Sequence, residues 1–159
     1  MKPTKLFLFS LFIVLPTLSF SQVRYDKMSE GAVNRIFLKF TQEFAQEVLD
    51  KCRNKEYNSN FKSAKLSIPM DNYLRKNMKS ICEDNQKKYG SIEIKKFNNA
   101  YYHKYMTDDP VQMFVYNIDS EQSNDAKYFS IWVGSISKKI QGFWITKNKP
   151  LEENLVIHY

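Results

Sequence analysis

The feature that most limits how this chain can fold is a change of period at Gly90. Before it, apolar residues recur every three or four positions, which gathers them on one side of a helix. After it they alternate with polar ones, which gathers them on one face of a strand. From Ser29 to Arg53 the stripe is Val33, Ile36, Phe37, Phe40, Phe44, Val48 and Leu49, continued by Cys52, and Ser29 is a suitable N-cap. The polar stretch RNKEYNSN ends this helix, and FKSAKLSIPM is read as holding a short helical turn before Pro69. A second helix is predicted from Met70 to Tyr89, with Leu74, Met78, Ile81 and Cys82 on one face and Gly90 as its stop.

Past Gly90, the segments SIEIKKF, NNAYYHKYM, VQMFVYNI, AKYFSIWVGSI and KKIQGFWITK read as four or five strands, with turns at TDDP, DSEQSND and SKK. Such spacing argues for an antiparallel meander. The last stretch, NLVIHY, either adds an edge strand or lies unpaired. Helices first and strands afterwards define an α+β domain, with N-terminal helices packed on a curved antiparallel sheet of four to five strands.

Residues 1–21 read as a secretory signal peptide. Lys2 and Lys5 precede an uncharged run from Leu6 to Leu18, and the small residues Ser19 and Ser21 precede a cut before Gln22. The run is shorter than the about 20 residues of a membrane span, and Pro16 interrupts it. The alternative is an uncleaved anchor. No cysteine sits at the cut to carry a lipid. Residues 22–159 are then expected to form a single domain, periplasmic or secreted, with no membrane span after cleavage.

The chain carries a net charge of +7, unevenly placed. Residues 75–104 are rich in lysine, and 105–125 carry acids and no base. Opposite blocks partly cancel, which together with export speaks against a nucleic-acid partner. What remains is a basic face towards anionic lipid, glycan or acidic protein, or simply a solvated lysine surface. Cys52 and Cys82 are the two cysteines, and an oxidising compartment favours pairing them, the alternative being two buried thiols.

In its order of helix, short turn, helix ending in KKYG and then antiparallel strands, the chain resembles the nuclear-transport-factor-like and ketosteroid-isomerase-like superfamily, the cystatin-like cone. It looks most like small exported bacterial members of unknown function. QKKYGSIEI matches the glycine-to-strand junction after the helix, and KIQGFWI matches a late aliphatic-x-Gly-aromatic strand. The resemblance covers residues 29–147 and implies a cone with an internal pocket. Members of the superfamily serve as enzymes, binders and scaffolds. Isomerase-type members use an acidic base with a tyrosine or protonated acid as donor. No stretch here matches that motif, so no catalytic role is carried over.

The candidate acid–base residues are His103 with Tyr101 and Tyr105, which share a face if AYYHKYM is a strand. Histidine titrates near neutral pH, but no acid lies on its strand, and Asp108 and Asp109 fall in the next turn, read as solvated. A half-exposed strand histidine is the reading preferred over a catalyst. His158 lies at the chain end, where groups are poorly held. No metal-ligand spacing occurs, and Asp119, Glu121 and Asp125 lack the calcium-loop pattern. No nucleotide-binding glycine loop or nucleophile elbow is present, and no cofactor is expected.

The aromatic residues are the remaining signal. Phe129, Ile131 and Val133 alternate with Tyr128, Ser130 and Trp132, and Phe143 and Ile145 with Gly142 and Trp144. One set is core. The other presents Tyr128, Trp132 and Trp144 for binding, unless both sides of the sheet are covered. The sequence is therefore read as an exported non-enzymatic binding or accessory module for a small apolar ligand or a protein partner. The alternatives are a small hydrolase or isomerase-like enzyme using the cone pocket, and a homodimerising or inhibitor-like protein using the aromatic sheet face.

Overall fold

The structure, a computed structural model, describes residues 25–103, 108–122 and 125–150. Residues 1–21, Tyr105, His158 and the NLVIHY stretch lie outside the described residues. A two-residue strand β1 (Asp26–Lys27) and a 3-10 turn (Glu30–Ala32) lead into helix α1 (Arg35–Asn54) and helix α2 (Ile68–Tyr89). Four strands follow: β2 (Ile92–His103), β3 (Val111–Ser120), β4 (Tyr128–Gly134) and β5 (Ile140–Thr146). The five strands form one antiparallel sheet in chain order, with the helices packed against it. This is the α+β arrangement expected from the change of period at Gly90.

The helix ends differ from the sequence reading. Ser29 precedes the 3-10 turn and makes no side-chain cap bond. Asn34 caps α1 instead, its side-chain oxygen accepting from the amides of Ile36 at 2.9 Å and Phe37 at 3.4 Å. Phe37, Thr41, Phe44, Ala45, Val48 and Leu49 make the buried face. Ile36, one residue off that row and so turned about 100° around the axis, is 71% exposed. The helix stops at Lys55, whose left-handed backbone (φ 59°) returns its amide to the carbonyls of Lys51 and Cys52. FKSAKL holds no helical turn. It runs as a bend and an extended piece in which Leu66 bridges Ile140 in parallel, and Ser67 then caps α2 by accepting from the Met70 amide. Pro69 fits the first turn of α2, where its missing amide is no loss.

In the sheet, SIEIKKF and NNAYYH are one strand. The register slips between Ile94 and Phe97 and again between Phe97 and Asn99. Bulges of this kind bend a strand and re-aim its side chains, which is why the sequence looks like two strands. Ala100, Phe114, Ile131 and Phe143 lie opposite one another across β2 to β5 and face the helices, as do Tyr116, Phe129 and Ile145. Phe37, Phe44, Leu74 and Met78 meet them from α1 and α2. Each such buried side chain contributes about 1.5–3 kcal/mol. The Tyr116 hydroxyl, inside this core, donates to the Leu38 carbonyl at 2.9 Å and lies 2.7 Å from Thr41 Oγ1. Burial pushes its ionisation far up, so it stays a neutral phenol.

Cys52 and Cys82 are joined in a disulfide with their Cα atoms 4.9 Å apart. Both belong to the apolar stripes of their helices, and the bond ties the last turn of α1 to the fourth turn of α2.

Candidate functional site

The expected acid–base cluster is altered by burial. His103 is 8% exposed, not half-exposed, and its ring lies 4.6 Å from that of Tyr25. Burial holds the imidazole below its usual range, which keeps it neutral at pH 7. Tyr101 shares its face of β2 and packs with Met113 and Val115 in a small second core. Asp109 is not a solvated turn acid. Its carboxylate accepts from the Ile136 amide at 2.8 Å, the Ser137 hydroxyl at 2.6 Å and Gln141 Nε2 at 3.3 Å, closing the turn between β4 and β5.

Tyr128, Trp132 and Trp144 do share the face of the sheet opposite the helices, since Trp132 pairs with Met113 and Gly142, and Trp144 with Ser130. They differ in accessibility. Trp132 and Tyr128 are partly covered by the second core, and Trp132 Nε1 donates to the Tyr25 hydroxyl at 3.1 Å. Trp144 is 65% exposed. It stands alone of the three as an open aromatic surface.

Trp144 belongs to a groove of about 980 Å³ between α2 and β5. Pro69, Met70, Tyr73, Ile81, Asp84, Asn85, Lys88 and Tyr89 supply the helical wall, and Gln141 to Asn148 the strand wall, with Asp125 at one end. Apart from a gap of eight between Tyr73 and Ile81, the helical residues follow one another at three or four positions or as adjacent pairs. They therefore lie on one side of α2, beside and partly overlapping the buried strip of Leu74, Met78 and Cys82. Apolar and aromatic groups line the middle. At the end where α2 and β5 finish, the Asp125 carboxylate meets Lys147 Nζ at 2.8 Å. The hydrogen bond and charge of Lys147, with Lys88 and Lys127 nearby, hold Asp125 below the usual carboxylate range.

The sequence reading named Ile81 on the apolar face of α2 but missed Tyr73 and the groove that the two line. Tyr73 sits beside Leu74, and an exposed aromatic next to a buried stripe was the available signal. Asp119, Glu121 and Asp125 are drawn apart to Lys95, to the Ser91 amide and to Lys147. Among the described residues no three His, Cys, Asp or Glu side chains come together as a metal site, and no helix is long and apolar enough to cross a membrane. No protein-family profile, curated protein or solved structure matches the chain.

Proposed function

We propose that the protein is an exported binding module that takes an apolar ligand or partner segment in the groove between α2 and β5. The groove itself carries the reading: it is open, of ligand size, and walled in its middle by Met70, Tyr73, Phe143 and Trp144. Binding sites are typically concave and mostly apolar, with a few polar groups at fixed places to orient the ligand. The charged groups here stand at the wall and at one end, and Asp125 is held by lysine, unlike a free general base. The export leader at residues 1–21 and the Cys52–Cys82 disulfide support a periplasmic or secreted setting. The order of two helices and an antiparallel meander supports kinship with the nuclear-transport-factor-like superfamily, whose members include binders.

The test uses anilinonaphthalene sulfonate as an apolar probe. Its emission is expected to rise and shift to the blue on mixing with the protein, and the affinity to fall several-fold in Trp144→Ala and in Tyr73→Ala. Both side chains are exposed, so neither variant should unfold the core. Probe uptake unchanged in both variants would place the site elsewhere and sink this reading.

A further inference from the structure

We infer that the groove receives the free C-terminal end of another polypeptide, added as an extended strand to β5 and running parallel to it. This rests on the binding-module reading and names the partner class for the same groove.

The shape of the groove points to an edge. Eight consecutive residues, Gln141 to Asn148, line it. Side chains of a strand alternate between two faces, and both the helix-facing Phe143 and Ile145 and the opposite-facing Trp144 line the groove, as expected of one that runs along the outer side of β5. β5 is the terminal strand of the sheet, and beyond Ile140 no described strand pairs with it. An exposed edge of this kind offers a row of backbone donors and acceptors to an incoming strand.

The chain itself shows what this edge accepts. The Ile140 amide donates to the Lys65 carbonyl at 2.9 Å, and the Ser67 amide donates to the Ile140 carbonyl at 2.8 Å, a parallel pairing centred on Leu66. At Ile68 the chain turns into α2 and leaves the rest of the edge. Phe143 and Ile145 follow Ile140 on the helix-facing side, opposite Ile131 and Phe129. The register slips between Ile140 and Gly142, which is how residues three apart share this side. Beyond the slip, the Ile118 amide donating to the Lys127 carbonyl turns Lys127, Phe129 and Ile131 on the β4 side towards β3. Tyr128, Ser130 and Trp132 then bond to Thr146, Trp144 and Gly142, and the main-chain groups of Phe143 and Ile145 point outward. Gln141 to Thr146, which no described strand pairs on this side, span about 20 Å at about 3.3 Å per residue, enough for a partner segment of about six residues.

Charge sets the chemistry of the end. A strand parallel to β5 finishes where β5 finishes, beside Lys147. There Lys147 Nζ lies 2.8 Å from Asp125, Lys88 lines the same groove over the Tyr89 ring, and the charges of Lys88 and Lys127 reach Asp125 as well. Asp84 stands one turn back along α2. A terminal carboxylate would meet the excess positive charge, while apolar side chains at alternate positions would enter between Tyr73 and Phe143.

The probe is a fluorescein-labelled pool of octapeptides with Val, Ile, Leu or Phe at alternate positions and a free C-terminal carboxylate, compared with the same pool amidated. Fluorescence anisotropy with the exported protein should show binding of the free acids, weakened about tenfold or more by amidation, a difference of about 1.4 kcal/mol. Lys147→Gln and Lys88→Gln should weaken the free acids and leave the amidated pool unchanged. N-methylation of alternate peptide amides, a change that leaves the protein untouched, should abolish binding in one of its two phases. Equal binding of acid and amide, or insensitivity to N-methylation in both phases, overturns the proposal. A large gain in peptide affinity on deleting residues 151–159 would make the chain's own end the occupant. A dimer mass in light scattering that peptide converts to monomer would make the occupant a second copy, and either result overturns it too. If the groove takes up the apolar dye but ignores the peptides, this inference fails while the binding-module reading stands.

Discussion

At the scale of single residues, the fold leans on a few positions where the backbone or a carboxylate is tightly held. Gly90 ends α2 with φ 69° and ψ −143°, a conformation open essentially to glycine. A Cβ there would stand 2.8 Å from Gln122 Cγ and 3.3 Å from Glu121 Cβ. Gly90→Ala is expected to lower the unfolding free energy by about 1–3 kcal/mol in urea titration; an unchanged midpoint would contradict the strain. Asp109 lends a pH dependence. Partial burial tends to raise its pKa, but hydrogen bonds from the Ser137 hydroxyl, the Ile136 and Ser137 amides and Gln141 outweigh it and leave the pKa lowered. A carboxylate with a depressed folded pKa contributes stability above its unfolded value, and loses it as pH falls through the folded one. Asp109→Asn should therefore destabilise more at pH 7 than well below about pH 4. Equal losses at both would show that the Asp109 charge plays no part.

At the scale of elements, α1 and α2 are held to each other by a covalent bond and to the sheet by packing. The disulfide closes a loop with a sequence separation of 30. In the chain-entropy account a loop of this length is worth about 3–4 kcal/mol. The Cys52→Ser, Cys82→Ser double variant is expected to lose that much stability while keeping its circular dichroism spectrum, because the stripes of both helices remain. A loss below about 1 kcal/mol would mean that packing alone orders the helix pair in the unfolded reference as well. The edge strand behaves differently. β5 is secured by β4 along its length and by the Lys65–Ser67 segment only at Ile140, so Gln141 to Thr146 have no described strand on their outer side, as Ile92 to Asn99 of β2 have none beyond the two-residue β1.

At the scale of the whole molecule, the sheet has two unequal sides. The helix-facing side is a single large core from Phe37 to Ile145. The other carries only the small cluster of Tyr101, Met113 and Val115, with Tyr25, Tyr128 and Trp132 packed on it. Trp144, like Tyr73 of α2 and Tyr102 of β2, belongs to neither cluster, and it lines the groove. The aromatic alternation placed Trp144 on the correct face, yet the same alternation offered Trp132 and Tyr128 equally. Distinguishing them required Tyr25, more than a hundred residues away in sequence, whose hydroxyl accepts from Trp132.

Local periodicity was enough to place the two helices and the strand region after Gly90, though not the exposure of Ile36 or the continuity of the bulged β2, because a stripe depends on spacings of two to four residues that any window of the sequence displays. Residues 1–21, which lie outside the described residues, carry the charge and apolar run on which the expectation of export rests. Tertiary structure alone decided that the sulfurs meet, that FKSAKL lies extended against Ile140, that β5 is an end strand of the described sheet, and that Tyr73 and Trp144 line one groove. Each of these depends on how segments distant in sequence lie against one another. That relation is set by packing of the whole core and leaves no period in the chain to read.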